Sequence, residues 1–420
     1  MNRRRKRKRL KKKILITFIV ILFIGLGAGI YLSRDSINNL FNNKEVANPN
    51  DNNNDKKEEE EKPKEDEVYK INMLATGDAL IHNAVYWEYA TGNRDTGPYN
   101  FDGALDYVRD IVSEYDIAYY NQETPFAGGL PDGYPRFSTP SEFGDAMIKA
   151  GFNMISTATN HTIDKGEDGI LNFYNYLKNK DGIIFNGIAD NATDRNNFMI
   201  GEKNNITYTM LSYTTSTNGL PVPSGKDYLV NVYDAEQVKS DIEAVRDKVD
   251  VLIVAMHWGV EYASTPNSNQ QEIAQYLADL GVDIILGAHP HVLQPITWID
   301  DTLVMYSLGN FISNQYGTDD YNKLVGFMAT LDITKTVTPE GDVDITIDNL
   351  GGELIFTKYN GNPITTANHD GHQVIPFSKM TDEVLSTFTH SIERDRLYEK
   401  YSGILESMGV DLNIAPLPSA

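Results

Sequence analysis

The chain has 420 residues, a formal net charge of −22 and no cysteine. Without cysteine it forms no disulfide, holds no thiolate metal site and has no cysteine nucleophile. Residues 1–13 contain ten basic residues and no acidic one, so the rest of the chain carries a net charge of −32. Such an acidic body repels phosphate groups, which argues against nucleic acid as a partner.

Residues 14–32 form an uninterrupted run of 19 uncharged, mostly apolar residues. As a helix this run would be roughly 28 Å long, close to the thickness of the hydrocarbon core of a bilayer. It is longer than the apolar core of a typical signal peptide, and no A-x-A cleavage site follows it. We therefore predict a retained transmembrane anchor, with a cleaved signal peptide as the alternative.

The basic residues 1–13 directly precede this apolar run. Because basic residues that flank an anchor stay in the cytoplasm, we interpret them as a cytoplasmic tail rather than as a nucleic-acid-binding segment. Residues 33–67 are rich in Asn, Glu and Lys and poor in apolar side chains, which is typical of a disordered linker. The expected product is a single-pass cell-membrane protein whose main domain is extracellular.

From residue 68 onwards, apolar strand-like runs alternate with helical patterns. The predicted strands are 70–76, 117–121, 154–158, 183–187, 206–212, 249–256, 282–286 and 302–307. The predicted helices are 103–113, 142–150, 166–179, 235–248 and 269–280. This alternation predicts an α/β domain over 68–356 with largely buried strands. Residues 326–357 are typical of antiparallel strands, and 357–420 are predicted to be a C-terminal extension, helical over 381–406.

Six polar clusters follow predicted strands. They are GDALIH at 77–82, NQE at 121–123, TNHTIDKG at 159–166, HWGVEY at 257–262, GAHPH at 287–291 and YSLGNF at 306–311. In open α/β sheets, ligands bind beyond the carboxyl ends of the strands. We therefore expect the six clusters to converge on one site.

These clusters contain candidate metal ligands of two chemical kinds. The oxygen donors are Asp78, Glu123 and Asn160, and the imidazole donors are His82, His161, His257, His289 and His291. Mixed imidazole and carboxylate ligands suit Zn, Mn or Fe better than Ca or Mg alone. The set is too large for one tetrahedral ion, whereas two divalent ions bridged by a carboxylate would use all of it.

Single members of this set also have structural interpretations. Asp78 could cap a helix, Glu123 could be a surface carboxylate, and His257 could be a core histidine. Five of the eight histidines nevertheless fall in clusters that follow strands, which favours a shared site. For His369 and His372 we predict a solvated loop, and for the histidine at 390 a surface position.

In combination and order, the six clusters resemble those of the CapA family of poly-γ-glutamate capsule synthesis proteins. The combination of TNHTIDKG with GAHPHVLQP and YSLGNF is the most specific part of this resemblance, which extends from about residue 70 to 315. It implies the fold of calcineurin-like metallophosphatases, a four-layer αββα sandwich. It also implies a basic N-terminus, a single anchor and an external domain, as predicted above.

The resemblance further implies the roles of individual residues. It implies a first metal bound by Asp78, His82 and His291 and a second metal bound by Asn160, His257 and His289. Glu123 would be the carboxylate that bridges the two metals. His161 would give a proton to the leaving group, and Asp164 would orient His161. The first site departs from the family pattern. Active metallophosphatases usually begin with D-x-H, whereas here Ala79 and Leu80 follow the aspartate.

Two function classes follow from these observations. The first is a capsule or cell-envelope polymer assembly factor that handles an anionic polymer such as poly-γ-glutamate, with membrane-bound synthesis or export proteins as partners. The alternative is an active metal-dependent hydrolase, either a phosphoesterase or a polymer hydrolase. In both cases we predict that the substrate is bound by five residues of the clusters: Trp258, Glu261, Tyr262, Tyr306 and Asn310.

Overall fold

The computed structural model describes residues 3–7, as backbone only, together with 65–315, 321–360, 370–389 and 391–418. The predicted anchor and nearly all of the predicted linker lie outside these residues, as do the histidines at 369 and 390. Within the described part of the chain, no helix is both long enough and apolar enough to cross a membrane. Chain contacts group the described residues of Val68–Lys335 and Ile345–Ala420 in one compact unit.

The described strands have the following bounds in chain order: β1 Arg3–Arg7, β2 Glu67–Leu80, β3 Ala90–Asn93, β4 Gly97–Tyr99, β5 Ile117–Gln122, β6 Met154–Ser156, β7 Ile184–Asn186, β8 Gly201–Lys203, β9 Ile206–Thr214, β10 Val251–His257, β11 Ile284–Ala288, β12 Ile296–Ile299, β13 Thr302–Met305, β14 Asn310–Ser313, β15 Val325–Val337, β16 Val343–Asn360, β17 Asp370–Pro376 and β18 Asn413–Ile414. The eight strands predicted individually from apolar runs are all confirmed, with ends that shift by a few residues.

The described helices are α1 Asn83–Glu88, α2 Arg109–Val112, α3 Ser141–Ala150, α4 Gly166–Lys178, α5 Ala192–Arg195, α6 Ala235–Val245, α7 Ser268–Asp279, α8 Asp382–Ser386 and α9 Arg394–Glu406. The helix predicted over 103–113 is instead a 3₁₀ turn at Asp102–Leu105 followed by the short α2. In α7 a capping box between Asn267 and Gln270 satisfies backbone donors of the first turn, which explains why the helix starts there.

Two mixed sheets organise the chain. In the ten-stranded sheet the order is β1-β16-β15-β2-β5-β6-β7, with β14 beside β2 and with β17 and β18 beside β16. In the six-stranded sheet the order is β12-β13-β11-β10-β9-β8, and β3 and β4 form a separate hairpin. The protein is therefore an α/β fold, as the alternation of strands and helices predicted.

The central strands of each sheet run parallel. In the larger sheet β2, β5, β6 and β7 pair in parallel register, and in the smaller sheet β9, β10, β11 and β13 do so. The carboxyl ends of neighbouring parallel strands lie at one edge of their sheet, where the polar clusters begin. His257, for example, ends β10 directly opposite Ala288 of β11.

Helices cover one face of each sheet. The apolar stripe Ile170, Phe173, Tyr174 and Leu177 of α4, spaced as one helix face requires, packs in a cluster with residues of β2, β5 and β6. A second cluster joins α6 and α7 to β9, β10 and β11. Each large apolar side chain buried in this way contributes roughly 1.5–3 kcal/mol. The two clusters thus hold the strand ends that carry the site.

The C-terminal stretch 357–420 is continuous with the larger sheet. β17 pairs antiparallel with β16, and β18 pairs in parallel with the same strand at Gly351 and Gly352. The helical prediction for 381–406 is confirmed in part by α8 and α9.

Candidate metal centre

Asp78 lies near the end of β2, against the turn that precedes β14. A Cβ at the preceding residue, Gly77, would lie 1.8 Å from the carbonyl oxygen of Gly309, so only glycine permits this approach. The Asp78 amide donates to that same oxygen at 2.9 Å. Its fully buried carboxylate accepts hydrogen bonds from Asn121 Nδ2 at 2.9 Å and from the His289 amide at 3.2 Å. The Asp78 carboxylate is therefore fixed in position.

Glu123 follows β5 and is completely buried, yet neither of its carboxylate oxygens has a hydrogen-bond partner. Oε1 lies 3.5 Å from His291 Nε2 and 3.7 Å from His257 Nε2. Burial raises the pKa of this carboxyl well above its usual range, although the charge of His291 opposes the shift. A buried carboxylate without donors is costly unless a cation neutralises it, so these two oxygens fit a metal.

His289 and His291 lie on the turn after β11, one residue apart. Both have left-handed backbone conformations, with φ of 93° and 60°, a strain of about 1–3 kcal/mol for each non-glycine residue. His291 Nδ1 lies 3.1 Å from Asp78 Oδ2 and 3.1 Å from Asn310 Oδ1, whereas the buried His289 Nδ1 has no partner. The strained turn therefore holds one imidazole against the acidic residues and leaves a nitrogen of the other available.

The two imidazoles have pKa values shifted in opposite directions. Burial and the charge of the neighbouring His291 together lower the pKa of His289 to about 4. Burial also disfavours the charged form of His291, but the carboxylates of Glu123 and Asp78 outweigh it and raise the pKa to about 9. His289 is therefore neutral at pH 7, the form that binds metals, and His291 holds a proton that a metal would displace.

His257 and Asn160 form the other half of the cluster. His257 Nε2 lies 3.0 Å from Asn160 Oδ1, and the His257 and His289 ring centroids are 4.8 Å apart. Burial lowers the pKa of His257 well below its usual value, since the charged ring would be desolvated. Asn121, which the sequence analysis noted only as part of a cluster, donates to Asp78 and lies 3.4 Å from His257 Nδ1.

Three groups of side chains in the described chain could each hold an ion. In each group, one ligand atom per residue lies within 4.8 Å of the others: Glu123 with His257 and His289, Asp78 with Glu123 and His291, and Glu261 with His289 and His291. Glu123 belongs to the first two groups, as a bridging ligand does. We call Asp78, Glu123 and His291 the first subsite, and Glu123, His257 and His289 with Asn160 the second subsite.

His82, predicted as a ligand of the first metal, is not a member of any of these groups. Its Nδ1 lies 3.1 Å from the Leu80 carbonyl and 3.2 Å from the Asn314 amide, and its ring contacts the edge of Phe137. Burial lowers its pKa to about 3. The structure therefore places His82 in the wall beside the site rather than with the other ligand candidates.

His161 and Asp164 form a pair at the start of the segment before α4. His161 Nδ1 lies 2.7 Å from Asp164 Oδ2, which also accepts a hydrogen bond from the Phe137 amide at 2.7 Å. The His161 ring packs against Phe137 with centroids 4.7 Å apart. Both contacts fix the imidazole, so the orienting role expected for Asp164 has a geometric basis.

A cleft of about 490 Å³ opens beside these groups. It is lined by Leu80, His82, Tyr134, Phe137, His161, Glu261, Tyr262, His291, Asn314, Gln315 and Lys323. Of the five predicted substrate-binding residues, Glu261 and Tyr262 are part of this lining. Tyr134, Asn314 and Lys323 also line the cleft, but the sequence analysis did not predict them, because they lie in loops without a recognisable motif.

The other three predicted substrate-binding residues lie elsewhere. Trp258 and Tyr306 are buried and stacked on each other in the core of the smaller sheet, and Trp258 Nε1 donates to the Tyr306 carbonyl at 3.0 Å. Asn310 is fully buried and holds His291 through its amide oxygen. This placement supports packing roles for the two aromatic residues and a positioning role for Asn310.

His372 was predicted to lie in a solvated loop, and this prediction is wrong. It is completely buried in β17, with Nδ1 2.8 Å from Glu88 Oε2 and Nε2 2.9 Å from Asn314 Oδ1. Its partners lie far away in sequence, so no local pattern indicated them. The pair links α1 to a residue of the cleft wall.

The curated relatives of this chain include two CapA proteins. The chain is 28% identical over 226 residues to the PGA biosynthesis protein CapA of Bacillus subtilis (strain 168), covering 51% of this chain and 57% of that protein. It is 26% identical over 269 residues to the capsule biosynthesis protein CapA of Bacillus anthracis, covering 60% and 62%. The chain thus spans roughly three fifths of the length of these curated relatives.

Solved structures with similarity include the calcineurin-like phosphoesterase YfkN of Bacillus subtilis, with 16% identity and a TM-score of 0.35 over 67% of this chain and 91% of that one. A putative 5′-nucleotidase from Staphylococcus aureus matches with 14% identity and a TM-score of 0.38, covering 79% and 58%. The family model described as bacterial capsule synthesis protein PGA_cap matches residues 72–315. That span is more than half of the chain and contains all the ligand groups above, and the protein belongs to this family.

Proposed function

We propose that this protein takes part in the synthesis or export of a capsule polymer of the poly-γ-glutamate type, or a similar cell-envelope polymer, through a dinuclear divalent-metal centre. Family membership and the names of the two CapA relatives support the polymer. The observation that carries the metal centre is Glu123, a fully buried carboxylate without a donor, with the imidazoles of His257 and His291 beside it.

The residues of the two subsites would hold two ions of the Mn, Zn or Fe type. Mixed carboxylate and imidazole donors suit these metals, and the buried unpaired oxygens of Glu123 and Nδ1 of His289 provide ligand atoms that the protein itself leaves unused. Two bound ions would supply positive charge that stabilises the oxygens of an ester or phosphoester during its cleavage. Asn121, Asn310 and the strained turn at His289–His291 hold the ligands in place.

A second candidate function is hydrolysis of a cell-envelope polymer or phosphoester, and the His161–Asp164 pair favours it. Asp164 anchors Nδ1 of the imidazole at 2.7 Å, and His161 lines the cleft. A histidine held in this way is suited to give a proton to a leaving group, an effect worth about 10²–10⁴ in rate. Broad electrostatic attraction of a polyanion is opposed by the charge of −32 on the body, so recognition would be local.

The proposal also includes the location and the partners. The basic residues 1–13 and the apolar run 14–32 support a single anchor with the N-terminus in the cytoplasm and the main domain outside. Membrane-bound capsule synthesis or export proteins would be the partners. We further infer that the two sheets pack face to face between their helices, as a four-layer αββα sandwich, because the central strands of both sheets are buried along their length.

The amount of anionic polymer bound to the cells tests the main proposal. Cells that produce only a His257→Ala form should lose most of the cell-bound anionic polymer, because the second subsite loses a ligand. Cells with the matched surface change Glu272→Gln should keep it. Unchanged polymer in His257→Ala cells, at equal protein level, would refute a role of the metal centre in polymer synthesis.

The hydrolase function is tested with His161→Gln. We expect phosphoester or poly-γ-glutamate cleavage by the metal-loaded protein to fall by about 10²–10⁴. The metal content should stay the same, because His161 is outside the three ligand groups. Full hydrolytic activity in this variant would exclude His161 as the proton donor, and no cleavage by the wild type would leave the assembly role alone.

A further inference from the structure

We propose that Glu261 is a ligand of the first subsite and completes it from the cleft side. It would stand in for the histidine that usually follows the first aspartate by two residues and that is a leucine, Leu80, in this chain. The inference deepens the proposed function and rests on the dinuclear centre being present. It reassigns Glu261 from substrate binding, its predicted role, to metal binding.

The two subsites differ in the number of ligands that the buried residues supply. The second subsite has four donors, since Asn160 Oδ1 lies 3.0 Å from His257 Nε2 in addition to the group of Glu123, His257 and His289. The first subsite has only Asp78 and Glu123 with His291. His82, the candidate for a fourth donor, is not a member of any of the three ligand groups. The first subsite is therefore one ligand short.

Glu261 lies where this ligand is needed. One of its carboxylate oxygens lies within 4.8 Å of nitrogen atoms of both His289 and His291, and its side chain lines the cleft together with His291. Asp78 and Glu123 are fully buried, whereas Glu261 is exposed. The exposed carboxylate thus approaches the shared imidazole, His291, from the open side.

The backbone keeps Glu261 in this place. The next residue, Tyr262, has a left-handed conformation with φ of 67°, and its amide donates at 2.7 Å to the carbonyl of Pro290, the residue between the two histidines. The Tyr262 hydroxyl and the Glu261 carboxylate interact electrostatically, and the centre of the Tyr262 ring lies 3.7 Å from Lys323 Nζ. Because its neighbour Tyr262 is strained and is hydrogen-bonded to the histidine turn, the backbone at Glu261 is held more firmly than that of an ordinary surface acid.

Independent observations indicate that a cation belongs at this point. The two unpaired oxygens of Glu123 and the unpaired Nδ1 of His289 are buried beside the Glu261 group. Polar atoms buried without partners are rare in native proteins and mark positions where an ion or water is bound. Exposed carboxylates are common without a metal, but this one lies beside buried ligand atoms that lack any partner.

The assignment has a chemical consequence. With Glu261, the first subsite holds three carboxylates and one imidazole, whereas the second holds one carboxylate, one amide and two imidazoles. Oxygen-rich sites suit Mn²⁺, and imidazole-rich sites suit Zn²⁺. The two subsites should therefore differ in metal preference, and Glu261 is the residue that makes the first one the harder site.

Binding of Mn²⁺ to the purified full-length protein, followed by the EPR signal of free Mn²⁺, tests this assignment. The background is His257→Ala, which removes a ligand of the second subsite alone and so leaves the first subsite to be measured. Adding Glu261→Gln should weaken the remaining Mn²⁺ binding at least about tenfold, the effect that loss of even an outer partner produces. Glu261→Asp should restore part of the affinity, and Glu272→Gln should leave it unchanged.

The outcomes separate this inference from the proposed function. Unchanged Mn²⁺ affinity after Glu261→Gln would overturn the assignment while leaving the dinuclear centre in place. Equal weakening of both subsites in the single variant Glu261→Gln, removed by high salt, would show a distant charge effect and would also overturn it. A wild-type protein that binds no Mn²⁺ or Zn²⁺ would refute the centre itself, and the inference with it.

Discussion

At the residue scale, the buried carboxyl of Glu123 has an energy that would depend strongly on whether a cation is bound beside it. Its carboxylate is completely buried and unpaired, and burial raises its pKa well above the usual value of 4.5. In the metal-free protein this group therefore destabilises the fold at neutral pH, because ionisation would leave a charge in a dry site. With metal bound, the same charge becomes favourable.

Replacing Glu123 by Gln should consequently raise the stability of the metal-free protein and lower the stability of the metal-bound protein. Without metal, we expect Glu123→Gln to raise the free energy of unfolding at pH 8 by about 1 kcal/mol or more, because the neutral amide avoids the cost of protonating or burying a carboxylate that is ionised in the unfolded chain. Adding Mn²⁺ or Zn²⁺ should stabilise the wild-type protein, whereas it should stabilise Glu123→Gln much less. Urea denaturation with and without metal measures both, with Glu272→Gln as the exposed control.

The pH dependence follows from the same shift. The folded protein keeps the carboxyl of Glu123 protonated to a higher pH than the unfolded chain does, so the folded state binds more protons at pH values between the two pKa values. This group therefore makes the metal-free protein lose stability as pH rises through the raised pKa. In Glu123→Gln that part of the loss should be absent, and an identical pH profile in both proteins would contradict the assigned protonation.

At the element scale, close approaches of strands and turns fix the ligands. The approach of β2 to the turn before β14 is possible because Gly77 lacks a side chain. The connection of α1 to β17 rests on the Glu88 carboxylate, which accepts from the amides of Gly371 at 2.7 Å and His372 at 2.9 Å. The hydroxyl of Tyr89 donates to the carbonyl of His372 beside them.

The Gly77 contact predicts a strong effect of a single methyl group. Gly77→Ala should destabilise the protein by about 1–3 kcal/mol or more, because the colliding atom is backbone and cannot rotate away. The matched control is Gly403→Ala in α9, where a Cβ meets nothing within 4 Å and helix propensity should add about 0.5–1 kcal/mol of stability. Thermal unfolding of both variants checks this, and equal melting temperatures would contradict it.

The Glu88 contact predicts an effect at the cleft wall. Glu88→Gln puts an amide in place of one acceptor oxygen and should lower the free energy of unfolding by about 1–3 kcal/mol. Because His372 also contacts Asn314, NMR signals of cleft residues should shift as well. Glu272→Gln should change neither. A stable variant with unshifted cleft signals would show that the contact does not position Asn314.

Part of the fold and part of the candidate site can be predicted from the sequence alone. The strand-then-cluster pattern predicted the α/β fold, and the residues grouped as the two subsites were all among the predicted ligand candidates, because motif residues at strand ends must share an edge. It did not reveal the position of Glu261 beside His289 and His291 or the separation of His82 from the ligand groups. The environment of His372, by contrast, depends on Glu88 and Asn314, at sequence separations of 284 and 58. Trp258 and Tyr306 lie in motifs too, but a motif does not reveal whether an aromatic ring faces the cleft or the core.

At the scale of the whole molecule, net charge and metal binding are coupled. The body after residue 13 carries −32, and two divalent ions with their displaced protons would change the charge only locally, around the cleft. His291, with its pKa raised to about 9, loses a proton when a metal binds at pH 7, so metal affinity should increase with pH. Bound metal would therefore place positive charge in the cleft of an otherwise strongly acidic body.

The metal content of the purified protein tests the central claim most directly. After reconstitution with Mn²⁺ or Zn²⁺ and removal of free metal, plasma mass spectrometry should find about two ions per chain, as a dinuclear centre requires. His289→Ala should retain about one ion or fewer, while Glu272→Gln should match the wild type. A wild-type protein that retains no metal under these conditions would contradict the account.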